Sequence, residues 1–291
     1  MKMAVEDPAM SPSGESSASL KKRSIFRKAA ANSGGPRRMV RDYFPAVVLV
    51  VGIMIFWENF NALFNQPDYI LPPLSKVIST AVDQAGDKFL PASWVTFQEV
   101  LIGFVIAALL GIVLGAILTE SRTIRRALFP IVISSQTVPI LAIAPVLVIW
   151  FGFGMFPKIV IVVLITFFPV TIMTVTGLES IHRDMVNLLR SLSATRWQMF
   201  FRVRFPAALP FIFAGLKTSA VISVIGAFVG EYAGATEGLA PVMIIANSSF
   251  QTEVVFAAIL YLSAMGVFMY GALLLIERRV IPWHYLTQDS G

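Results

Sequence analysis

The chain has 291 residues, of which 56% are hydrophobic and only 14% are charged. This composition excludes a soluble globular domain, whose surface would need far more charge, and predicts a polytopic membrane protein. The net charge of +6 favours basic loops at a membrane surface over nucleic-acid binding, and the absence of cysteine excludes disulfides and thiolate metal sites.

The N-terminal segment, residues 1–43, is polar and rich in Ser, Lys, Arg and Ala. Such a composition predicts a disordered cytoplasmic tail. The apolar run that starts near Phe44 is too long for a signal peptide and stays in the membrane. Residues 286–291 are predicted to form a short cytoplasmic tail at the other terminus.

Between the tails, residues 44–285 predict an all-α transmembrane domain, because a spanning helix needs about 20 mostly apolar residues. Six candidate spans meet this criterion: 44–64, 97–118, 127–150, 159–178, 212–233 and 255–276. A tight turn separates the third span from the fourth.

The distribution of basic residues predicts the orientation of the six spans. All but three of the 23 lysines and arginines fall on one side; the exceptions are Lys76, Lys88 and Lys158. Cytoplasmic loops carry the excess of Lys and Arg. Both termini are therefore predicted to be cytoplasmic, as is the loop at residues 179–211.

The loop at residues 179–211 combines arginines with apolar residues at helical spacing, which predicts two short amphipathic helices joined by a bend. Pro206 and Pro210 are expected to stop the second helix before span five. Two hypotheses account for such a segment. It lies on anionic lipid, or it docks on a soluble partner through aromatic and arginine anchors.

The text "NLLRSLSATRWQMFFRVRFPAALP" (187–210) resembles the EAA loop of ABC importer permeases. Asn187-Leu188-Leu189 stand where that pattern has Glu-Ala-Ala, and Ser193 stands where it has Gly. The first departure removes an acid expected to pair with the ATPase, and the second puts a Cβ at the bend.

Three other segments are similar to the same family: "YILPPLSKVIST" (69–80), "PILAIAPVLVIWFGFG" (139–154) and "GEYAGATEGLAPVMI" (230–244). The resemblance covers about residues 44 to 285. It implies a type I ABC importer permease-like subunit of the bacterial inner membrane, with two copies forming the pathway.

The same resemblance implies the partners of the chain. Two ATP-binding subunits, which hold ATP and Mg, would dock at residues 184–205. A solute-binding protein would dock outside, near 65–95 and 234–252. The predicted ATPase-docking residues are Asn187, Arg190, Ser193, Arg196, Trp197, Phe200, Phe201 and Arg204.

Polar residues at membrane depth are the candidates for the translocation pathway, because they are costly there and face a cavity or another helix. The candidates are Ser135, Gln136, Thr137, Thr166, Ser219, Ser223 and Glu231. Each Ser or Thr has a plain alternative, a hydrogen bond between helices. The Gly111/Gly115 and Gly226/Gly230 pairs favour close helix packing, and one of them is expected at a dimer interface.

The chain has no phosphate-binding G-x-x-x-x-G-K-[ST] motif and no HExxH motif, so it is not predicted to be an enzyme. A secondary transporter driven by an ion gradient, with Glu231 as proton carrier, is the main alternative; against it, the sequence predicts no other acid well inside a span. A scaffold that recruits a soluble partner is a third. The favoured substrates are a thiamine-precursor pyrimidine or riboflavin, followed by sulfonate, nitrate or bicarbonate.

Overall fold

The computed structural model describes residues 36–282, with side chains from Phe44 onward except that of Arg183. Residues 1–35 of the predicted N-terminal tail and the predicted tail at 286–291 lie outside the described residues. The described part of the chain consists of helices and turns and contains no strand. The all-α membrane fold is therefore confirmed.

The helices are numbered here in chain order. They are α1 (Pro36–Phe64), α2 (Leu74–Asp83), α3 (Leu90–Glu120), α4 (Arg122–Ser135), α5 (Ile140–Phe151), α6 (Met155–Glu179), α7 (Arg183–Ser191), α8 (Arg196–Met199), α9 (Phe205–Tyr232), α10 (Leu239–Ser248) and α11 (Thr252–Val280). Two π-helical turns, Ala85–Phe89 and Phe200–Arg204, lead directly into α3 and α9.

The chain divides into two units, residues 1–59 and 60–291. The described part of the first unit is helix α1 up to Asn59. This helix begins at Pro36, so residues 36–43, the last part of the predicted tail, are helical. Proline suits the first turn of a helix, where its missing N–H has no partner to lose.

The second unit is built around three long helices, α3, α6 and α9. Gly103, Gly111 and Gly115 of α3 meet Val162, Val170 and Thr174 of α6 in the same order, so these two helices run parallel.

Helix α9 runs antiparallel to α6. Gly215, near the beginning of α9, faces Met173, and Gly230, near its end, faces Lys158. The contacts of α6 with α3 and with α9 therefore both depend on glycine.

The contact at Gly111 shows how close α3 and α6 are. A Cβ added there would lie 2.7 Å from Val170 Cβ and 2.8 Å from the Phe167 carbonyl oxygen, so no larger residue fits without a shift. The expectation that a glycine pair lines a dimer interface is not met by this contact. Gly111 and Gly115 face α6 of the same chain, as Gly226 and Gly230 do.

The third predicted span, 127–150, is not one continuous helix. It divides into α4 and α5, which meet at an angle of 97°. Pro139 precedes α5 and lacks an N–H, and it disfavours helical geometry at Val138. The chain still crosses the bundle here, because α3 and α6 run parallel and the segment between them must return to the opposite end.

The fifth span is longer than predicted. One continuous helical stretch runs from Arg196 to Tyr232, so the expectation that Pro206 and Pro210 end the helix is wrong. In the π-helical turn the Phe205 amide bonds to the Phe200 carbonyl, five residues back. Such a turn leaves one carbonyl outside the regular ladder, close to where Pro206 has no N–H to donate.

Candidate functional site

The loop between α6 and α9 begins with helix α7, which ends in a Schellman motif. The Ser193 amide donates to the Arg190 carbonyl and the Ala194 amide donates to the Leu189 carbonyl, each at 3.0 Å. Ser193 has a φ of 58°, the left-handed conformation that this position requires. The predicted bend is therefore where the resemblance expected glycine, and a serine adopts it.

Helix α8 restarts the chain with a capping box. Thr195 Oγ1 accepts from the Gln198 amide at 3.3 Å, and Gln198 Oε1 accepts from the Thr195 amide at 2.9 Å. The spacing Thr-x-x-Gln is the sequence signature of this cap. The cap begins the helix at Arg196 and so determines which side chains of the next turn point outward.

The outward side chains of the loop include a pair of stacked aromatic rings. Trp197 and Phe201 lie 5.7 Å apart with an interplanar angle of 10°, and they are 73% and 58% exposed. Met185, Leu188 and Leu192 add exposed apolar surface. Large apolar side chains grouped on one loop are typical of a surface that binds a partner.

The other predicted docking residues divide into two groups. Asn187, Arg190, Ser193 and Arg196 are exposed beside the aromatic pair. Phe200 and Arg204 are turned toward the protein itself. Phe200 packs against the buried cluster of Leu178, Ala208 and Ile212, and Arg204 Nη1 lies 2.9 Å from Glu120 Oε1.

Ser193→Gly is expected to stabilise the protein by about 0.5–1 kcal/mol, because glycine adopts a left-handed conformation without steric cost. The measurement is the thermal unfolding midpoint of the purified protein. Ser191→Gly, two residues earlier and inside α7, is the matched control and should destabilise by a similar amount. A midpoint that falls for Ser193→Gly would contradict the expectation.

Three predicted pathway residues lie at the break between α4 and α5. Ser135, Gln136 and Thr137 belong to an exposed stretch that runs from Ile133 to Pro139. Ser135 and Thr137 donate to nearby carbonyls of α4, and Gln136 Nε2 lies 3.5 Å from the Leu164 carbonyl oxygen. Polar side chains are thus concentrated at the point where the helix is interrupted.

Three other pathway candidates are buried inside the bundle. Thr166 donates to the Val162 carbonyl at 2.6 Å, Ser219 donates across to the Thr166 carbonyl at 2.8 Å, and Ser223 donates to the Ala220 carbonyl at 2.7 Å. All three are fully buried. Only Ser219 makes a hydrogen bond between α9 and α6, whereas Thr166 and Ser223 donate to carbonyls of their own helices.

Glu231 is also buried, at the end of α9. It accepts from Thr96 Oγ1 at 2.5 Å and from the Ala240 amide at 2.8 Å, and Thr96 Oγ1 in turn accepts from the Leu239 amide. The carboxylate therefore joins α3 and α9 to the N-terminus of α10, where backbone amides without a partner in the helix favour an anion.

Close to Glu231 lies a buried ion pair that sequence reasoning missed. Lys158 Nζ is 2.6 Å from Glu99 Oε1, and the two residues are 7% and 0% exposed. The expectation that Glu231 is the only acid well inside a span is therefore wrong. A signal existed, because these opposite charges occupy matching positions at the beginning of two predicted spans.

A pocket of about 220 Å³ adjoins this ion pair at the same end of the bundle. Its lining includes Gln98, Glu99 and Lys158 together with the segment Gly234–Glu237. Among the described residues, no group of three or more His, Asp or Glu could hold a metal ion.

Comparison with known proteins gives a consistent picture. A family model described as "Binding-protein-dependent transport system inner membrane component" matches residues 100–282. The chain is 34% identical to the formylaminopyrimidine transport permease protein ThiX of Halalkalibacterium halodurans over 231 residues, which are 79% of this chain and 92% of that protein. It is 32% identical to the riboflavin transport system permease protein RibX of Chloroflexus aurantiacus, covering 85% of this chain and 94% of that one.

Among solved structures, the chain is similar to an inward-facing form of the MetNI methionine ABC transporter. The TM-score is 0.59, with 18% identity, over 66% of this chain and 95% of that chain. This likeness concerns the fold.

Proposed function

This chain belongs to the family of binding-protein-dependent transport system inner membrane components, and we propose on that basis that two copies of it form the translocation pathway of an ATP-driven importer. It is a multi-pass membrane permease subunit for a small solute, and the family implies an ATP-binding subunit and a solute-binding protein as partners. The chemistry of ATP hydrolysis resides in a separate subunit.

The observation that carries the proposal is the exposed aromatic pair of Trp197 and Phe201 on the loop after α6. Aromatic residues that fill a pocket on a partner contribute most of the energy of an interface. Arg190 and Arg196, exposed on the same loop, would orient an acidic partner surface. We assign this loop to the ATP-binding subunit, one per copy of the chain.

The polar break between α4 and α5 is the proposed lining of the pathway. Ser135, Gln136 and Thr137 are exposed there, whereas Thr166, Ser219 and Ser223 are satisfied within the bundle. Non-helical backbone at membrane depth is tolerated only where it is buried in protein or lines a water-filled cavity. In a homodimer, the two breaks would face each other across that cavity.

The opposite end of the bundle is the proposed outer end, which receives the solute-binding protein near residues 65–95 and 234–252. The pocket beside Gln98 and Glu237 lies on this surface. In this orientation, the arginine-rich loop and both termini face the cytoplasm, in accord with the excess of basic residues on that side. The membrane is the inner membrane of a bacterium.

The proposed substrate is a thiamine-precursor pyrimidine or riboflavin. Support comes from the printed functions of two relatives, formylaminopyrimidine transport and riboflavin transport. A taurine transport permease of Escherichia coli is 30% identical over 81% of this chain, so sulfonates remain the next class to test. ATP and Mg would be bound by the partner subunit.

Co-purification is the test of the proposed function. The tagged chain, extracted from its native membrane in mild detergent, should bring an ATP-binding subunit and a solute-binding protein that retains its ligand. Proteoliposomes of the complex should then take up that ligand with ATP inside, and an ionophore should not prevent uptake. Uptake that needs no ATP and ends when the ion gradient collapses would instead establish a secondary transporter.

A further inference from the structure

Two ion pairs fasten the ends of the loop between α6 and α9 to the junction of α3 and α4. At the loop's far end, Arg204 Nη1 lies 2.9 Å from Oε1 of Glu120, the last residue of α3. At its near end, Glu179, the last residue of α6, pairs with Arg125 in the first turn of α4. The intervening segment, residues 180–203, contains the exposed aromatic pair.

Helices α3 and α4 are separated by a single non-helical residue, Ser121. Ser121 is extended, with a φ of −123° and a ψ of 110°, and it lies between two regular helices. Its Oγ accepts from the Ile124 amide and so caps α4. Glu120 and Arg125 stand on either side of Ser121, so each ion pair acts on a different helix.

Helix α4 leads from Ser121 to the polar break. It has 14 residues and a length of roughly 21 Å, at 1.5 Å per residue. A displacement of Arg125 therefore reaches Gln136 at the other end, where the chain turns into α5.

The signs of the charges allow only one pairing. Glu120 at the end of α3 is negative and pairs with the positive Arg204 of the loop. Arg125 at the beginning of α4 is positive and pairs with the negative Glu179. The exchanged pairing would place like charges together. Exposed ion pairs contribute little to stability, and Glu120 and Arg125 are 48% and 37% exposed in their side chains. These two ion pairs therefore contribute more to the position of the loop than to the stability of the fold.

We infer that Glu120 and Arg125 are positioning residues of transport, which carry the movement of the ATPase-docking loop through α4 to the polar break. The inference rests on the proposed function, because it needs an ATP-binding subunit to move the loop. It also assigns Arg204 to this internal contact, although the sequence analysis placed it among the docking residues.

The test uses the complete complex and a single introduced thiol, and labelling is read on this chain alone, which has no cysteine of its own. Val138→Cys places it in the exposed stretch at the break. The rate of labelling by a water-soluble maleimide is measured with and without a non-hydrolysable ATP analogue. We expect the analogue to change the rate at least fivefold. Arg125→Glu or Glu179→Arg alone should abolish this response, as should Glu120→Arg or Arg204→Glu, and reversing both members of either pair should restore it.

Co-purification of the ATP-binding subunit with each variant distinguishes lost transmission from lost docking. Arg202→Glu is the matched control. This residue is exposed on the same π-helical turn and has no ion pair among the described residues, so its reversal should leave the response intact.

A full response in the single charge reversals would overturn the inference, as would loss of the response in Arg202→Glu or no recovery in the two double reversals. If the complex without charge reversals neither binds an ATP-binding subunit nor responds to the analogue, the proposed function itself fails.

Discussion

Replacing both Trp197 and Phe201 by aspartate is expected to release the ATP-binding subunit while the permease remains folded. Their rings are 73% and 58% exposed, so little of the protein's own core is lost with them. Buried aromatic anchors at interfaces are each worth about 2 kcal/mol or more, and every 1.4 kcal/mol is a factor of ten. The combined loss is therefore about 4 kcal/mol, a fall in affinity of roughly 700-fold.

The measurement is co-purification of the ATP-binding subunit, followed by titration of the purified subunits in detergent. Trp94→Asp is a matched control, because Trp94 is 60% exposed, stacks on Phe97 and lies near the opposite end of α3. Phe200→Asp should behave differently and lower the unfolding midpoint, since Phe200 packs against Leu178 and Ala208.

An unchanged affinity for the Trp197→Asp/Phe201→Asp variant would contradict docking through this pair. The loop would then fit the other hypothesis drawn from its sequence, an amphipathic segment resting on anionic lipid. In that case the variant should lose binding to vesicles containing anionic lipid, and the ATPase interface would lie elsewhere.

Lys158→Met is expected to destabilise the protein by about 3–5 kcal/mol, because it leaves the buried Glu99 carboxylate without its counter-charge. Glu99 Oε2 is already buried without a hydrogen-bond partner among the described residues, so Lys158 is the partner on which the carboxylate depends. A loss of this size should lower the thermal unfolding midpoint by about 10 °C in a protein of this length.

The double variant Glu99→Gln/Lys158→Met separates charge from packing. Replacing a buried ion pair by uncharged residues of similar volume is close to neutral, so the double variant should recover most of the lost stability. Thermal unfolding followed by size-exclusion fluorescence measures both variants. If the double variant is as unstable as the single one, the uncompensated charge of Glu99 is not the cause of the instability.

The exposed ion pair of Lys76 and Asp68 serves as the reference for this comparison. Its side chains are 44% and 56% exposed, and its atoms are 3.5 Å apart. Lys76→Met should change stability by less than about 1 kcal/mol, because water already screens that pair. The contrast between Lys158 and Lys76 tests whether burial makes the ion pair of Lys158 and Glu99 important for stability.

The sequence alone determined the fold class, because a long apolar segment has few choices in lipid. Backbone polar groups without water must bond within the segment, so runs such as 159–178 could only be helices. The bend of the arginine-rich loop was also readable, since Ser193 and the Thr195–Gln198 cap are local signals.

Only the tertiary structure decided the breaks and the partners of individual side chains. Pro139 interrupts a span whereas Pro206 does not, because the π-helical turn before Pro206 absorbs the missing bond. Hydropathy averages over such differences, which depend on the hydrogen bonds of particular turns.

The pairing of Lys158 with Glu99 likewise needed the tertiary structure, although each residue stands at the beginning of a predicted span. Their contact follows from the parallel packing of α3 and α6, and this packing depends on Val162 and Val170 fitting against glycines far away in the sequence. Sequence periodicity shows which face of a helix is apolar. It does not show which helix covers that face, because burial is determined by contacts between segments distant in the chain.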